Sequence, residues 1–270
     1  MKNTIILVFI FCWSLSFSQY LNVTTLNHDT CLERKFSIVF HIVLDSTYSV
    51  NLTTPAVLAA MIDTLNSTFK PICVSFANCS TVFIPNYPFN KWKKAITDPV
   101  VTSNWYVDKT INVYIVDSIK DLQTIPEFGA GYAYKPPVQP GDSIKDVIVL
   151  EDDEVFFIRQ GIFHHFGHYF GLDHTHDEVG TGPAAVPGPP NPNVSSQEYG
   201  NGSNCAIHGD CLCDTEADPG DESIYDGAGN RYLPPVDNFM ARYIGNGCRY
   251  TDQQYLKMAR CIVTKRLYLH

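Results

Sequence analysis

The chain has 270 residues, 45% of them hydrophobic and 17% charged, with a formal net charge of −9. That length supports one domain with a sizeable core, or two parts sharing a cleft. Lys and Arg are scattered and the balance is acidic, which excludes nucleic acid as a natural partner.

Met1-Lys2, an apolar run over residues 5–15 and the small-x-small Ser16-Phe17-Ser18 form the pattern of a secretory signal peptide, residues 1–18, removed before Gln19. The run is short for a bilayer span, so the expectation is export without a membrane partner after cleavage, to the extracellular space or a bacterial periplasm. Cys12 would leave with the signal, and Cys31, Cys73, Cys79, Cys205, Cys211, Cys213, Cys248 and Cys261 remain. An even set in an oxidising compartment predicts disulfides, with the connectivity open. Cys211-x-Cys213 offers a thiolate metal pair as the lesser alternative.

After an N-terminal lead (residues 19–34), residues 35–44 (KFSIVFHIVL) read as a buried strand with His41 as a satisfied sheet histidine. Thr54-Pro55 reads as a helix cap and first turn. Val57, Leu58, Met61, Ile62, Leu65 and Phe69 then recur at helical spacing as a core stripe. Residues 72–76 and 111–116 are further strand candidates, separated by a Pro/Asn-containing stretch without a clear period. Residues 129–134 (GAGYAY), followed by Pro136-Pro137, suit an edge strand that leaves a main-chain edge open to an extended peptide, and an ordinary Gly/Pro loop competes with that reading. Residues 146–150 (DVIVL) are another buried strand. Acids at 151–154 open a helix whose stripe is Val155, Ile158, Ile162, Phe166 and Tyr169. Residues 181–204 predict a long surface loop and residues 250–264 a closing helix.

The last internal helix carries GIFHHFGHYFGLDHTH over residues 161–176. His164 and His168, four apart, project from one helical face and can share a metal ion. Gly171 can take the left-handed turn that ends the helix, so that His174 returns as a third ligand. Three imidazoles and an open position describe a catalytic type of zinc site.

The spacing H-x-x-x-H-x-x-G-x-x-H resembles that of the metzincin zinc peptidases. With the FSIVFHIV, GYAYKP, GSNCAIHGDCLCDTEADP and DNFMARY segments in order, the chain resembles the pappalysin/cytophagalysin family from about residue 35 onward. The resemblance implies an α+β, metzincin-like fold over residues 35–270. A twisted mixed sheet and two long helices would form an upper lobe (about 35–171), and an irregular disulfide-containing lower lobe (about 172–270) would end in a helix. It also implies Zn2+ on His164, His168 and His174, and Met240 as an apolar floor below the metal. Gly131, Tyr132 and Ala133 would be the edge strand that receives a peptide or protein. Asp210, Asp214, Asp218 and Asp221 fall where some members bind Ca2+, with a solvated acidic loop as the alternative.

Three positions depart from the family. His165 stands where the general-base Glu should be, Arg242 where Tyr commonly follows the methionine, and Glu216 where proline is usual. An imidazole near a cation disfavours the protonated form that the return of a proton to the leaving amine requires. Two readings follow: a secreted zinc-binding pseudoprotease that acts by binding peptide or protein, or an active secreted zinc metalloendopeptidase with a non-standard base at His165. Oligomeric state is open.

Overall fold

The computed structural model describes residues 30–45, 53–120, 131–136, 146–157, 160–176, 198–220, 223–241 and 247–269. The predicted signal peptide, most of the 181–204 loop and Arg242 lie outside the described residues.

Strands β1 (Arg34–Val43), β2 (Val74–Ile84), β4 (Ile111–Val116), β6 (Gly131–Ala133) and β7 (Val147–Glu151) form a sheet in the order β2-β1-β4-β7-β6. The first four are mutually parallel and β6 is antiparallel to β7, which makes the sheet mixed. A parallel pair, β3 (Lys91–Trp92) and β5 (Ser118–Ile119), stands beside it.

The two-residue period of the strands sorts their side chains onto two faces. Phe36, Ile38, Phe40, Ile42, Ile111, Val113, Ile115, Ile148 and Leu150 enter one core. They meet helices α1 (Pro55–Phe69), α5 (Gln160–Tyr169) and α6 (Asp252–Lys265) there. Val43, Tyr114, Val116, Val147 and Val149 enter the other, with Trp92 and Val101. Each fully buried large apolar side chain contributes roughly 1.5–3 kcal/mol, so both faces of the sheet are committed. His41 sits on the second face, its Nε2 2.9 Å from Asn112 Oδ1 and its ring stacked on Tyr114. It is a buried sheet histidine as the sequence suggests, but satisfied at Nε2 only, since its Nδ1 has no hydrogen-bond partner among the described residues.

Thr54 caps α1 by accepting from Val57 N, with Pro55 opening the helix, and Leu58, Met61, Ile62, Leu65 and Phe69 are buried as the spacing predicts. The chain then makes a 3-10 turn (Lys70–Ile72) that ends at Cys73 in the left-handed region, φ 52°. The strand predicted at 72–76 therefore starts later, and it runs on to Ile84. The stretch left unassigned holds α2 (Tyr87–Asn90) and α3 (Lys94–Trp105), the latter with Pro99 inside it and several β-branched residues. Those residues weaken the local helix signal, and burial of Val101 and Asp98 supplies what local propensity lacks.

The helix predicted from the acids at 151–154 to Tyr169 is two pieces, α4 (Asp152–Phe156) and α5. The apolar stripe runs across both because Val155 and Ile162 bury into the same core. The closing helix is α6, started by a reciprocal capping box between Thr251 and Gln254. Behind it Arg266, 1% exposed, pairs with Asp146 and donates to the carbonyls of Tyr169 and Tyr134, fastening the tail to the ends of α5 and β6.

Of the eight cysteines after the predicted signal, Cys31 pairs with Cys73 and Cys205 with Cys213. The expected disulfides are thus present, and Cys79, Cys211, Cys248 and Cys261 are thiols. Cys79 is exposed on the outer strand β2, and Cys261 is buried beneath Gly171. Cys213 is committed to a disulfide, so the Cys211-x-Cys213 thiolate pair does not form. Among the described residues no helix is long and apolar enough to cross a membrane.

Candidate metal centre

Helix α5 is buried from Gly161 to Tyr169. It closes in a double turn: Gly171 N donates to His168 O at 2.9 Å and Leu172 N to Gly167 O at 2.9 Å, with Gly171 at φ 89°. That left-handed residue is what reverses the chain, and a side chain there would also meet Cys261. The reversal delivers His174 to the face that carries His164 and His168.

The three Nε2 atoms converge, His168 lying 3.0 Å from both His164 and His174, and His174 3.2 Å from His164. Nitrogens about 2.0–2.1 Å from a tetrahedral zinc ion stand roughly 3.3 Å apart, so the spacing suits that ion. The opposite ring edges set the tautomers. His164 Nδ1 is 2.8 Å from Phe239 O and His168 Nδ1 is 2.8 Å from Leu172 O, so each proton sits on Nδ1. Two bare Nε2 lone pairs therefore face each other with no proton between them, an arrangement that repels unless a cation joins them. The donor set fits a zinc-type metal ion, with backbone carbonyls orienting the ligands from behind. Burial, then the neighbouring imidazoles, holds His164 and His168 well below the usual imidazole range, which keeps them neutral as ligands must be.

Met240 is fully buried against α5. A Cβ added to Gly167, midway along α5, would meet Met240 Sδ at 2.5 Å, so glycine is what admits the thioether. The turn is tied down by Asn238, whose Oδ1 accepts from Met240 N (2.8 Å) and Gln254 Nε2 (3.1 Å), and whose Nδ2 donates to Gln254 Oε1 (2.9 Å). Gln254 thus caps α6 and ties down the Asn238–Met240 turn together. The capping-box spacing Thr251-x-x-Gln254 was the one available signal for it.

Comparison with known proteins bears on the fold. No protein-family model and no curated protein matches the chain. Among solved structures, mature mirolysin of Tannerella forsythia in complex with a cleaved peptide matches at a TM-score of 0.52 and 14% identity, over 87% of this chain and 97% of that one. Metalloproteinase-II from Bacteroides fragilis matches at 0.39 and 9% identity, over 84% of this chain and 53% of that one. This chain has an α+β, metzincin-like fold, the one it shares with mirolysin.

Within that fold the other predicted residues separate. His165 follows His164 on α5 but joins none of the ligand contacts. It is 3% exposed, and neither ring nitrogen has a hydrogen-bond partner. Its ring edge lies against β6, where a Cβ added to Gly131 would meet His165 Cδ2 at 2.6 Å and Nε2 at 2.7 Å. Burial, then His168 and His174, holds it well below the ordinary imidazole range. Asp173 is taken by two lysines, Lys135 at 2.8 Å and Lys257 at 2.7 Å. Glu154 stands on α4, apart from the helix that bears the ligands.

Gly131, Tyr132 and Ala133 form the last strand of the sheet among the described residues. Tyr134 N donates to Val147 O, so even-numbered residues bond inward to β7 and the N–H and C=O of Gly131 and Ala133 face outward. Of the predicted acids, Asp214 caps α6 through Thr251 Oγ1 and Gln253 N, a structural role. Asp221 lies outside the described residues. Asp210 and Asp218 are buried, and Glu198, absent from the sequence reading, is buried with both carboxylate oxygens unpartnered, as is Asp210 Oδ2. No sequence signal marked Glu198, which lies inside the predicted 181–204 surface loop yet is buried. Burial, reinforced by Asp210 and Asp218, pushes Glu198 up to about 8, and burial pushes Asp210 up to about 7.

Proposed function

We propose that this is an exported, zinc-binding, pappalysin-like protein whose peptide-bond hydrolysis is lost or strongly impaired, and which acts by binding peptide or protein across its cleft. One observation carries the reading: the residue at the general-base position, His165, is packed against Gly131 with neither nitrogen engaged. Zinc, when bound, polarises a carbonyl and lowers the pKa of a water. His164, His168 and His174 would hold it, and their backbone-anchored rings need nothing from position 165. Taking the proton and returning it to the leaving amine falls to the protein, and a buried imidazole beside other imidazoles resists the cationic form this needs. Asp173 offers no substitute, since both of its oxygens are committed to lysines. Loss of a positioned acid/base forfeits about 10²- to 10⁴-fold in rate.

The outward main-chain groups of Gly131 and Ala133 would pair with an extended peptide. Met240 would be the floor, and Arg242 would stand at the tyrosine position. The buried oxygens of Glu198 and Asp210 favour a second, structural cation, and calcium suits oxygen donors. The signal-peptide pattern and the two disulfides support export.

The intact triad favours the alternative, an active zinc metalloendopeptidase with an unusual base. Hydrolysis of a mixed-peptide substrate by the zinc-loaded mature chain, beside a chelator control and His165→Glu, decides between them. Silence from the native chain with turnover by His165→Glu is expected. Chelator-sensitive turnover by the native chain would overturn the pseudoprotease reading.

A further inference from the structure

Under the outer strand lies a buried carboxylate that the metal centre does not use. Asp98, on α3, is 2% exposed. Its Oδ1 accepts from Trp92 Nε1 at 2.6 Å and from the Tyr132 hydroxyl, and its Oδ2 accepts from the Tyr134 hydroxyl. Trp92 Nε1 also reaches the Tyr132 hydroxyl at 2.7 Å, and Lys94 Nζ lies 4.5 Å from the Tyr132 ring centre and 5.0 Å from that of Tyr134. Burial raises the Asp98 carboxyl above the usual range, and its three donors oppose the rise.

Strand β6 has three residues and, among the described residues, a single ladder neighbour, β7. Its faces are divided by the strand period. Gly131 and Ala133 lie toward α5, and Tyr132 and Tyr134 toward the second core. A strand this short, at the end of a sheet, is weakly fixed by main-chain bonds alone. One carboxylate that receives both tyrosine hydroxyls fixes its height and twist from below. A shift of β6 would move the outward N–H and C=O groups of Gly131 and Ala133 and the backbone against which His165 rests.

We propose that Asp98 is a positioning residue for peptide binding, holding β6 through the Tyr132 and Tyr134 hydroxyls so that its free edge is presented at a set place beside α5. This rests on the reading of β6 as the peptide edge.

The test uses the zinc-loaded mature chain and a fluorescently labelled pool of mixed-sequence extended peptides. Affinity comes from anisotropy, alongside zinc stoichiometry and the thermal midpoint. Asp98→Asn and the Tyr132→Phe/Tyr134→Phe pair should each weaken binding by about 5- to 150-fold, the usual range for coupling between a remote group and a site. Combined, they should weaken it little further, because they remove one shared contact. Zinc content should stay unchanged. Tyr134→Phe alone, at a partly exposed position, is the milder variant should Asp98→Asn fail to fold, and it should show the same loss in smaller measure. Affinity unmoved in these variants, with or without a lower midpoint, would leave Asp98 purely structural and overturn the proposal. Ala133→Pro separates the two levels, since it blocks an outward N–H without touching Asp98. Loss of binding there with none in the Asp98 variants overturns this inference and spares the edge reading. Binding as strong as in the unaltered chain overturns both.

Discussion

Gly131→Ala tests where His165 lies. The added Cβ would fall 2.6 Å and 2.7 Å from the His165 ring and 2.8 Å from Val149 O, against ordinary carbon contacts of about 3.5–4.0 Å. Val149 is the neighbouring β7 strand and cannot retreat without disturbing the ladder. Overpacking of this kind costs about 1–3 kcal/mol. Gly131 is not in the left-handed region, so alanine meets no backbone strain, and a stiffer unfolded chain returns about 0.4–1 kcal/mol. The net loss is about 0–2.6 kcal/mol, or up to roughly 10 °C in midpoint for a domain of this size. Scanning calorimetry of the zinc-loaded mature chain measures it, with His165→Ala and the double variant completing a cycle. Removing the imidazole should make Gly131→Ala less costly and leave the part due to Val149 O. An equal effect of Gly131→Ala in both backgrounds would refute the placement. His165 would then be free to swing toward the metal, which favours the active-enzyme reading.

His164→Ala should sharply lower the zinc bound per chain, measured by atomic absorption after dialysis, and unchanged stoichiometry would defeat its assignment as a ligand. Asn238→Ala strips the hydrogen bonds of buried Met240 N and Gln254, so a loss of roughly 2–3 kcal/mol is expected in chemical denaturation. Zinc affinity should fall about 10- to 100-fold with it as the Phe239 carbonyl behind His164 is released, and native affinity would show that the turn does not orient the ligand. Glu198 and Asp210 titrate near 8 and 7 in the folded chain, above their ordinary values, so the unfolded chain releases those protons first. Stability they favour at low pH is therefore lost as pH rises from about 4.5 to 8. The buried histidines, held below their ordinary range, pull stability the other way up to about 6.5, so the comparison in chelator is with Glu198→Gln/Asp210→Asn, in which they cancel. The midpoint of the native chain relative to that variant should decline across the window, and calcium should flatten the decline. A difference that does not move with pH would contradict the burial of this pair.

What was legible in the sequence was whatever has a local period or a fixed chemical spacing. The β-branched runs at 35–44, 111–116 and 146–150, the stripe of α1 and the Thr54-Pro55 start all name their elements because local and tertiary preference agree. Helix α3 was not legible, because Pro99 and the threonines and valines around it argue against the conformation that packing enforces. The break between α4 and α5 was invisible for the opposite reason, since one continuous apolar stripe serves two helices. The ligand triad could be read because chelation demands its spacing. Glu198, Asn238 and Asp98 could not, because each acts across distances that only folding brings together: Asn238 on α6, Asp98 on β6, and Glu198 beside Asp210.

The geometry also separates the ligand triad from position 165. His164 is oriented by the carbonyl of Phe239 in the Met240 turn, and His168 by that of Leu172 in the glycine reversal. The turn is in turn held by Asn238 and Gln254 from α6, and the reversal by the double bond pattern at Gly171. None of these hydrogen bonds involves the side chain at position 165, which packs against β6. A change at 165 can therefore leave the ligand arrangement standing, so on the function proposed above the intact triad carries no information about turnover. The same separation makes His165→Glu interpretable. It replaces an unpartnered imidazole by a carboxylate without disturbing the carbonyls that aim the ligands, so any turnover that appears reports on the base alone.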